Sequence, residues 1–557
     1  MSSPEELAKA AGKTVFRRSA SGLMRQFTAY DVLIYNIAWS MLLIDGAAYV
    51  YLWGPFAFPG ANIPLGMLVV TLWATPQFLA YAMLASTMPR SGGDYVWQSR
   101  ILQGSIGFAT MMLMAFSLFL WVALNGVWVT AFSSSPMLAI LGIQLNNPDI
   151  LNLGIWLSTP TGIFTGTVIV NVVTFFMFLP GITLGLKSGR YGFWLVILGM
   201  AALTIQMAFY THVDFVTQYN AFMVKLDPTH TNYYQYVIDT ATAGGFSPNT
   251  AFNWYDTLGL MPLAWFVLAW PMWIFLNLGE VKGAESLKRM TALTLGSLWV
   301  CGIFMIIWGY EIVNLAGWTF LASAGYDWFN LLIAFPVIPW FMNIAAMMGT
   351  NPIPGLLIGL GAMSIGLWEC WVNYVGGSRI MLAASLDRAL PEWFGRIGKR
   401  FRQLVNVGFV YLVMGLVVGY LYNFTVNIGS FSFSYYQYSL AAPLVSSIFQ
   451  WFTMLAAVIL PFRAHMKDVW RTSPASKYLL AGIPVISIGG LVGLSLQTVM
   501  IWYEVTVNNL AINAPSGGLG GLLVLLIALF AYWWLVYGYW KRKGLDLSLA
   551  YREVPPL

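Results

Sequence analysis

The chain has 557 residues, 59% of them hydrophobic and 9% charged, with 27 Lys and Arg against 21 Asp and Glu, a net charge of +6 and a mean hydropathy of +0.71. A soluble domain carries about 25% charged residues, so this chain could not cover its own surface in water; lipid is the solvent such a composition fits. The basic residues sit in short clusters between apolar runs and form no stripe for a phosphate backbone to follow, so no nucleic-acid partner is expected.

The first 27 residues are polar and hold no apolar core, so no cleavable signal peptide is expected and insertion falls to the first span. A crossing needs about 20 apolar residues. Twelve spans are predicted, near 31–57, 64–86, 105–130, 158–183, 191–212, 257–279, 291–314, 354–376, 404–422, 438–461, 480–503 and 518–540. The apolar stretch 328–350 carries Pro336 and Pro339 and reads as a re-entrant or interfacial segment, or as an early start to the eighth span. Twelve crossings place 26 of the 27 basic residues on one side, with Lys225 the exception. Basic loops stay in the cytoplasm, so both termini are expected there, in a multi-pass protein of the cell membrane. Asp149, Asp214, Asp227, Asp239 and Asp327 then fall in outer loops, the longest of them, 213–255, reading as a partly ordered cap. Asn423-Phe424-Thr425 is a glycosylation sequon in another outer loop, or a chance triplet.

Two spans lose simple helical character at matching places. The first contains Ile44-Asp45-Gly46-Ala47 in mid-membrane, where glycine weakens the helix and an aspartate needs water or a partner. The sixth contains Ala269-Trp270-Pro271, and proline there removes a backbone hydrogen bond and frees a carbonyl. Broken spans at corresponding positions of two halves point to a midplane binding site. Glu369 in the eighth span is the other buried acid, placed either to couple an ion or to bond a neighbouring helix. Glu280, Glu311 and Glu504 fall at span ends.

No catalytic or metal constellation is visible, and no enzyme activity or cofactor is expected. His212, His230 and His465 fall at or beyond span ends, so they do not read as paired haem ligands in the bilayer. No phosphate-cradling GxxxxGK[ST] loop is present. Cys301 and Cys370 lie within apolar runs and read as core residues, not as a disulfide.

Three segments carry a family resemblance: Met88-Pro-Arg-Ser-Gly-Gly-Asp-Tyr-Val-Trp-Gln-Ser-Arg100, Gly279-Glu-Val-Lys-Gly-Ala-Glu285 and Ser378-Arg-Ile-Met-Leu-Ala-Ala-Ser-Leu-Asp-Arg-Ala-Leu-Pro391. In this order and spacing they resemble the loops after the second, sixth and eighth spans of the amino acid–polyamine–organocation (APC) superfamily of permeases. The resemblance runs from about residue 22 to the C-terminus. It implies an all-α polytopic membrane protein of twelve transmembrane helices, a five-plus-five inverted repeat plus two C-terminal helices. The divisions are a cytoplasmic segment 1–27, a first repeat 28–212, an outer loop 213–255, a second repeat 256–462, two further helices in 463–540 and a cytoplasmic tail 541–557.

It further implies alternating access for a small-molecule solute held at the first and sixth breaks, coupled to protons, sodium or exchange. Ile44, Asp45, Gly46 and Ala47 would contact the solute or its ion, with Ala269, Trp270, Pro271 and Trp273 as the other wall, Phe266 as a gate and Glu369 as the coupling acid. The sequence departs from the pattern where Ile44-Asp45-Gly46 replaces a small-residue run and Trp270 stands in place of glycine. The fifth span also lacks the lysine some members use in place of sodium. An amino-acid substrate is therefore a family default. A nutrient sensor or assembly subunit on the same scaffold is the alternative, and the sequence leaves the oligomeric state open.

Overall fold

The computed structural model describes residues 25–552 except 41–42, 249–250, 399–402, 425–426, 429–430, 433–434, 508–509 and 511–517, with backbone alone at 40, 43, 427–428, 431–432 and 435–442. The N-terminal segment before residue 25, Lys399, Arg400 and Arg402 of the basic loop, and Thr425 of the sequon lie outside the described residues. So does the tail beyond Arg552.

The chain is about 80% helical. Among the described residues eleven helices are long and apolar enough to cross a bilayer: Ala29–Ala57, Ile63–Thr87, Gly104–Gln144, Pro160–Phe178, Ile182–Phe209, Leu287–Ala316, Pro352–Leu386, Val405–Asn423, Pro443–Phe462, Val485–Thr506 and Gly518–Arg542. They correspond to eleven of the twelve expected spans. The other, 257–279, is not a continuous helix: Trp254–Gly259 and Met261–Leu268 end before a gap, and only short 3-10 turns at Trp273–Leu276 and Leu278–Glu280 follow.

Several boundaries move. The third span runs on to Gln144 through a wide π-helical turn at Trp128–Ser134. The 158–183 helix stops at Phe178, before Pro180 and a left-handed Gly181 (φ +91°), and the fifth begins at Ile182. Lys187 and Arg190 therefore sit on a helix and not in a loop; a long basic stem can bury its methylenes while its charge reaches outward. Residues 479–484 form a small hairpin pairing Leu479–Leu480 with Ile483–Pro484, so the 480–503 span starts at Val485. No spanning helix occupies 328–350: Trp318–Phe329 ends before an irregular stretch containing Pro336 and Pro339, and Phe341–Met347 is a short helix.

Small residues let the helices close up. A Cβ on Gly361 would lie 3.1 Å from the Cα of Gly199 and 3.6 Å from Ile44 Cδ1, so the Pro352–Leu386 helix packs hard on both the fifth span and the first.

Contacts define two ends of the bundle. At the basic end Arg25 faces Glu285, Arg190 pairs with Asp31, Arg463 donates to the Leu102 carbonyl and Trp540 to the Arg388 carbonyl. At the opposite end lie the helices His212–Met223 and Tyr233–Ala243 of the expected cap, the first started by a Thr211–Asp214 capping box. Asp327, expected in an outer loop, is instead fully buried on Trp318–Phe329, because that helix packs against Tyr233–Ala243 and the first span.

Candidate functional site

The sixth-span break forms where Pro271 has no N–H to give the carbonyl of Val267. Residues 269–272 fall outside any helix, and side chains bond two of the carbonyls beside the break. The Trp270 indole folds back to donate to the Phe266 carbonyl at 2.9 Å, and Gln450 Nε2 donates to the Ala269 carbonyl at 3.1 Å. Gln450 is held in turn: its Oε1 accepts from Gln77 Nε2 at 2.7 Å and Gln497 Nε2 at 3.3 Å, and Gln497 also donates to Gln77 Oε1 at 2.9 Å. Gln450 thus holds the Ala269 carbonyl beside the break, itself braced by Gln77 and Gln497, three fully buried amides from the helices Ile63–Thr87, Pro443–Phe462 and Val485–Thr506. An exposed carbonyl in an apolar interior costs several kcal/mol, which explains why polar side chains are spent here.

The first span is not broken where expected. Ile44, Asp45, Gly46 and Ala47 lie within an α-helical turn, Leu43–Ala48, and the departures fall on either side as π-helical turns at Tyr35–Ser40 and Tyr49–Trp53. A glycine in a helix costs only about 1 kcal/mol, less than unsatisfied backbone in apolar surroundings. Asp45 is buried, and among the described residues neither of its carboxylate oxygens has a hydrogen-bond partner.

Trp270, Trp273 and Glu369 meet at one small cavity, closed on its other sides by Met114, Leu118, Trp121, Val372 and Asn373. Its volume, taken as space open to water centres, is about 10 Å³, room for about one water molecule. The Trp270 and Trp273 rings stand edge to face, centroids 5.4 Å apart, and Trp273 lies against Gly376, where a Cβ would come within 3.1 Å of its ring. Glu369 is 5% exposed, its Oε2 has no partner, Asn373 and Asn125 flank it, and Asp45 is near enough for the two charges to interact. Ile44, Asp45, Gly46, Ala47, Phe266, Ala269 and Pro271 do not line the cavity. Phe266 stacks on Tyr49 instead, centroids 4.8 Å apart and rings within 8°, and Trp340 meets Tyr49 edge-on at 5.2 Å.

The three motif segments come together at the basic end. Arg379 forks onto Glu280 (2.7 and 3.0 Å) and also donates to Gln403 Oε1 at 2.8 Å. Arg100 forks onto Asp387 (2.6 and 2.8 Å), which also accepts from the Tyr95 hydroxyl at 3.0 Å. The left-handed Gly93 (φ +41°) brings this loop onto the broken span: a Cβ there would lie 2.9 Å from the Phe275 carbonyl, and the Gly92 N–H donates to the Leu276 carbonyl at 2.8 Å. Glu280, expected to be an ordinary span-end acid, is thus a buried ion-pair partner. Its position within a motif was the available signal; its partner 99 residues away was not legible. Nothing in local patterning points to the Gln77–Gln450–Gln497 cluster.

Helices, burial and composition define an all-α, multi-pass membrane protein. No protein-family model matches the chain, and no curated protein matches it.

Proposed function

We infer that the chain is a secondary-active permease of the APC superfamily, moving an amino acid, polyamine or related organic cation by alternating access. The observation that carries this reading is the meeting of the Trp270–Trp273 break with Glu369 in one buried cavity, beside a second acid, Asp45. Broken spans expose backbone groups that can hold a solute, and ionisable groups at membrane depth are characteristic of ion and solute paths.

The charge balance favours a positively charged solute. No Lys or Arg lines the cavity, two carboxyl groups adjoin it, and Trp121, Trp270 and Trp273 offer π faces to a cation. The same conformation has aromatic rings packed above the cavity at Tyr49, Phe266 and Trp340, and the Arg379–Glu280 pair below it. In this reading those two layers are the gates on either side of the site. The twelve-span, five-plus-five repeat belongs to this reading, with 257–279 as the broken sixth span. The two longest helices, Gly104–Gln144 and Pro352–Leu386, occupy the equivalent third and eighth positions. The basic end faces the cytoplasm of a cell membrane, and a proton or sodium ion at Glu369 supplies the coupling.

Purified protein in liposomes tests the reading. Radiolabelled polyamine or cationic amino acid should accumulate when a proton or sodium gradient is imposed. Saturable binding of the same solutes without flux would establish the sensor in place of the permease.

A further inference from the structure

A second, larger cavity lies at the basic end, away from the midplane. It opens between the start of the Gly104–Gln144 helix, the Arg463–His465 turn, the end of the Gly518–Arg542 helix and the Leu547–Arg552 turn that folds back beneath it. Its volume, again as space open to water centres, is about 520 Å³, within the range of about 300–1,000 Å³ common for ligand sites.

Its wall is built. The Tyr551 ring lies under the Arg100 guanidinium at 5.3 Å, Arg100 is locked onto Asp387, and Trp533 Nε1 approaches the Tyr551 hydroxyl at 3.3 Å. Arg463 and Arg552 stand at the rim with no carboxylate paired to either among the described residues; Arg463 spends one N–H on the Leu102 carbonyl at 3.2 Å. His465 adds a ring nitrogen 2.7 Å from the Arg100 carbonyl, which it meets as an N–H donor, and Ser548 adds a hydroxyl. Among the described residues, Asp546, just before the turn, is engaged by the Ser548 N–H at 2.8 Å and approached by the Tyr537 hydroxyl at 3.5 Å. Lys541 and Arg542 close the helix and Lys543 follows it.

Position identifies the ligand. The Gly518–Arg542 helix is the least covered of the spans, with 11% of its apolar window buried, and Trp534 and Leu535 are 51% and 74% exposed. One side of the cavity therefore opens towards acyl chains. Trp and Tyr gather at the depth of lipid headgroups, and basic pockets between spans at that depth suit phosphate esters. Arginine supplies the planar, paired N–H groups that a phosphate accepts.

We propose that this cavity binds the phosphate-bearing headgroup of an anionic phospholipid. The full chain in nanodiscs of phosphatidylglycerol should retain that lipid in native mass spectrometry and unfold several degrees higher than in phosphatidylcholine of the same chain length. Arg463→Gln with Arg552→Gln should weaken retention about tenfold and abolish the difference between the two lipids, while leaving the phosphatidylcholine value unchanged. Ser548→Glu, an independent change at the half-exposed rim, should do the same if the double variant folds poorly. Lys541→Gln with Lys543→Gln is the control for diffuse charge; an equal loss there overturns the site. Equal stabilisation by the two lipids also overturns it. So does stabilisation by soluble glycerol phosphate that matches the lipid, which would make the ligand a free phosphate ester.

Discussion

Arg379 and Glu280 form a two-pronged ion pair that ties the long Pro352–Leu386 helix to the turn Leu278–Glu280 beyond the Pro271 break, both side chains being almost fully buried. With Arg100–Asp387 alongside, the pair joins the three motif segments at one end of the bundle. Removing one member of such a pair leaves an uncompensated charge and costs about 3–5 kcal/mol, whereas replacing both with apolar residues is often near neutral. Glu280→Gln should therefore lower stability by about that amount, and Glu280→Met with Arg379→Met should recover most of it. Denaturant unfolding in detergent reads the difference; a loss below about 1 kcal/mol for the single variant would contradict the buried pair.

Gln450→Leu removes the donor to the Ala269 carbonyl and the acceptor for Gln77 Nε2, while Gln497 keeps its bond to Gln77 Oε1. Each orphaned buried group costs about 1–3 kcal/mol. The thermal midpoint should fall by several degrees, and hydrogen exchange should rise at 266–273, far from the substitution in sequence. Exchange that rises only around residue 450 would refute the link to the break.

Glu369→Gln keeps the size of the side chain and removes its titration. If Glu369 couples transport, the variant should retain solute exchange in liposomes and lose accumulation against a gradient. Asp45→Asn should shift the pH dependence of solute binding while leaving the protein folded. Uphill accumulation at the wild-type level by Glu369→Gln would rule out the coupling role.

Asp94 opens the short helix Asp94–Ile101 between the second and third spans, and burial pushes its carboxyl up to about 6, against hydrogen bonds from Thr453 and Tyr81 that pull it down. Below about pH 4 the group is protonated in both folded and unfolded chains, and its contribution is intact. From about pH 4 to 6 the unfolded chain ionises first, so the native state loses about 3 kcal/mol as pH rises, with no further slope above that. Asp94→Asn should flatten this part of the stability profile relative to wild type. Parallel profiles for the two proteins would show that Asp94 does not titrate there.

Topology is tested by single cysteines in intact cells. A membrane-impermeant maleimide added outside should label positions 149 and 423, and should reach 396 only after permeabilisation. Labelling of 396 in sealed cells would invert the orientation.

Composition and apolar run length were enough to read a multi-pass helical membrane protein, since lipid demands stretches that satisfy their own backbone and leaves few charges. The break at Ala269–Met272 was legible for a local reason: proline lacks an N–H wherever it falls. The apparent break at Ile44–Ala47 was not real, because glycine only lowers helix propensity and packing from the long Pro352–Leu386 helix restores the turn. Tertiary structure alone decided that Glu369 meets Trp270 and Trp273, that Gln450 holds a carbonyl on another helix, and that Glu280 finds Arg379. Each depends on how separate helices rotate and cross, which is set by steric fit between distant surfaces and leaves no periodic mark on either segment.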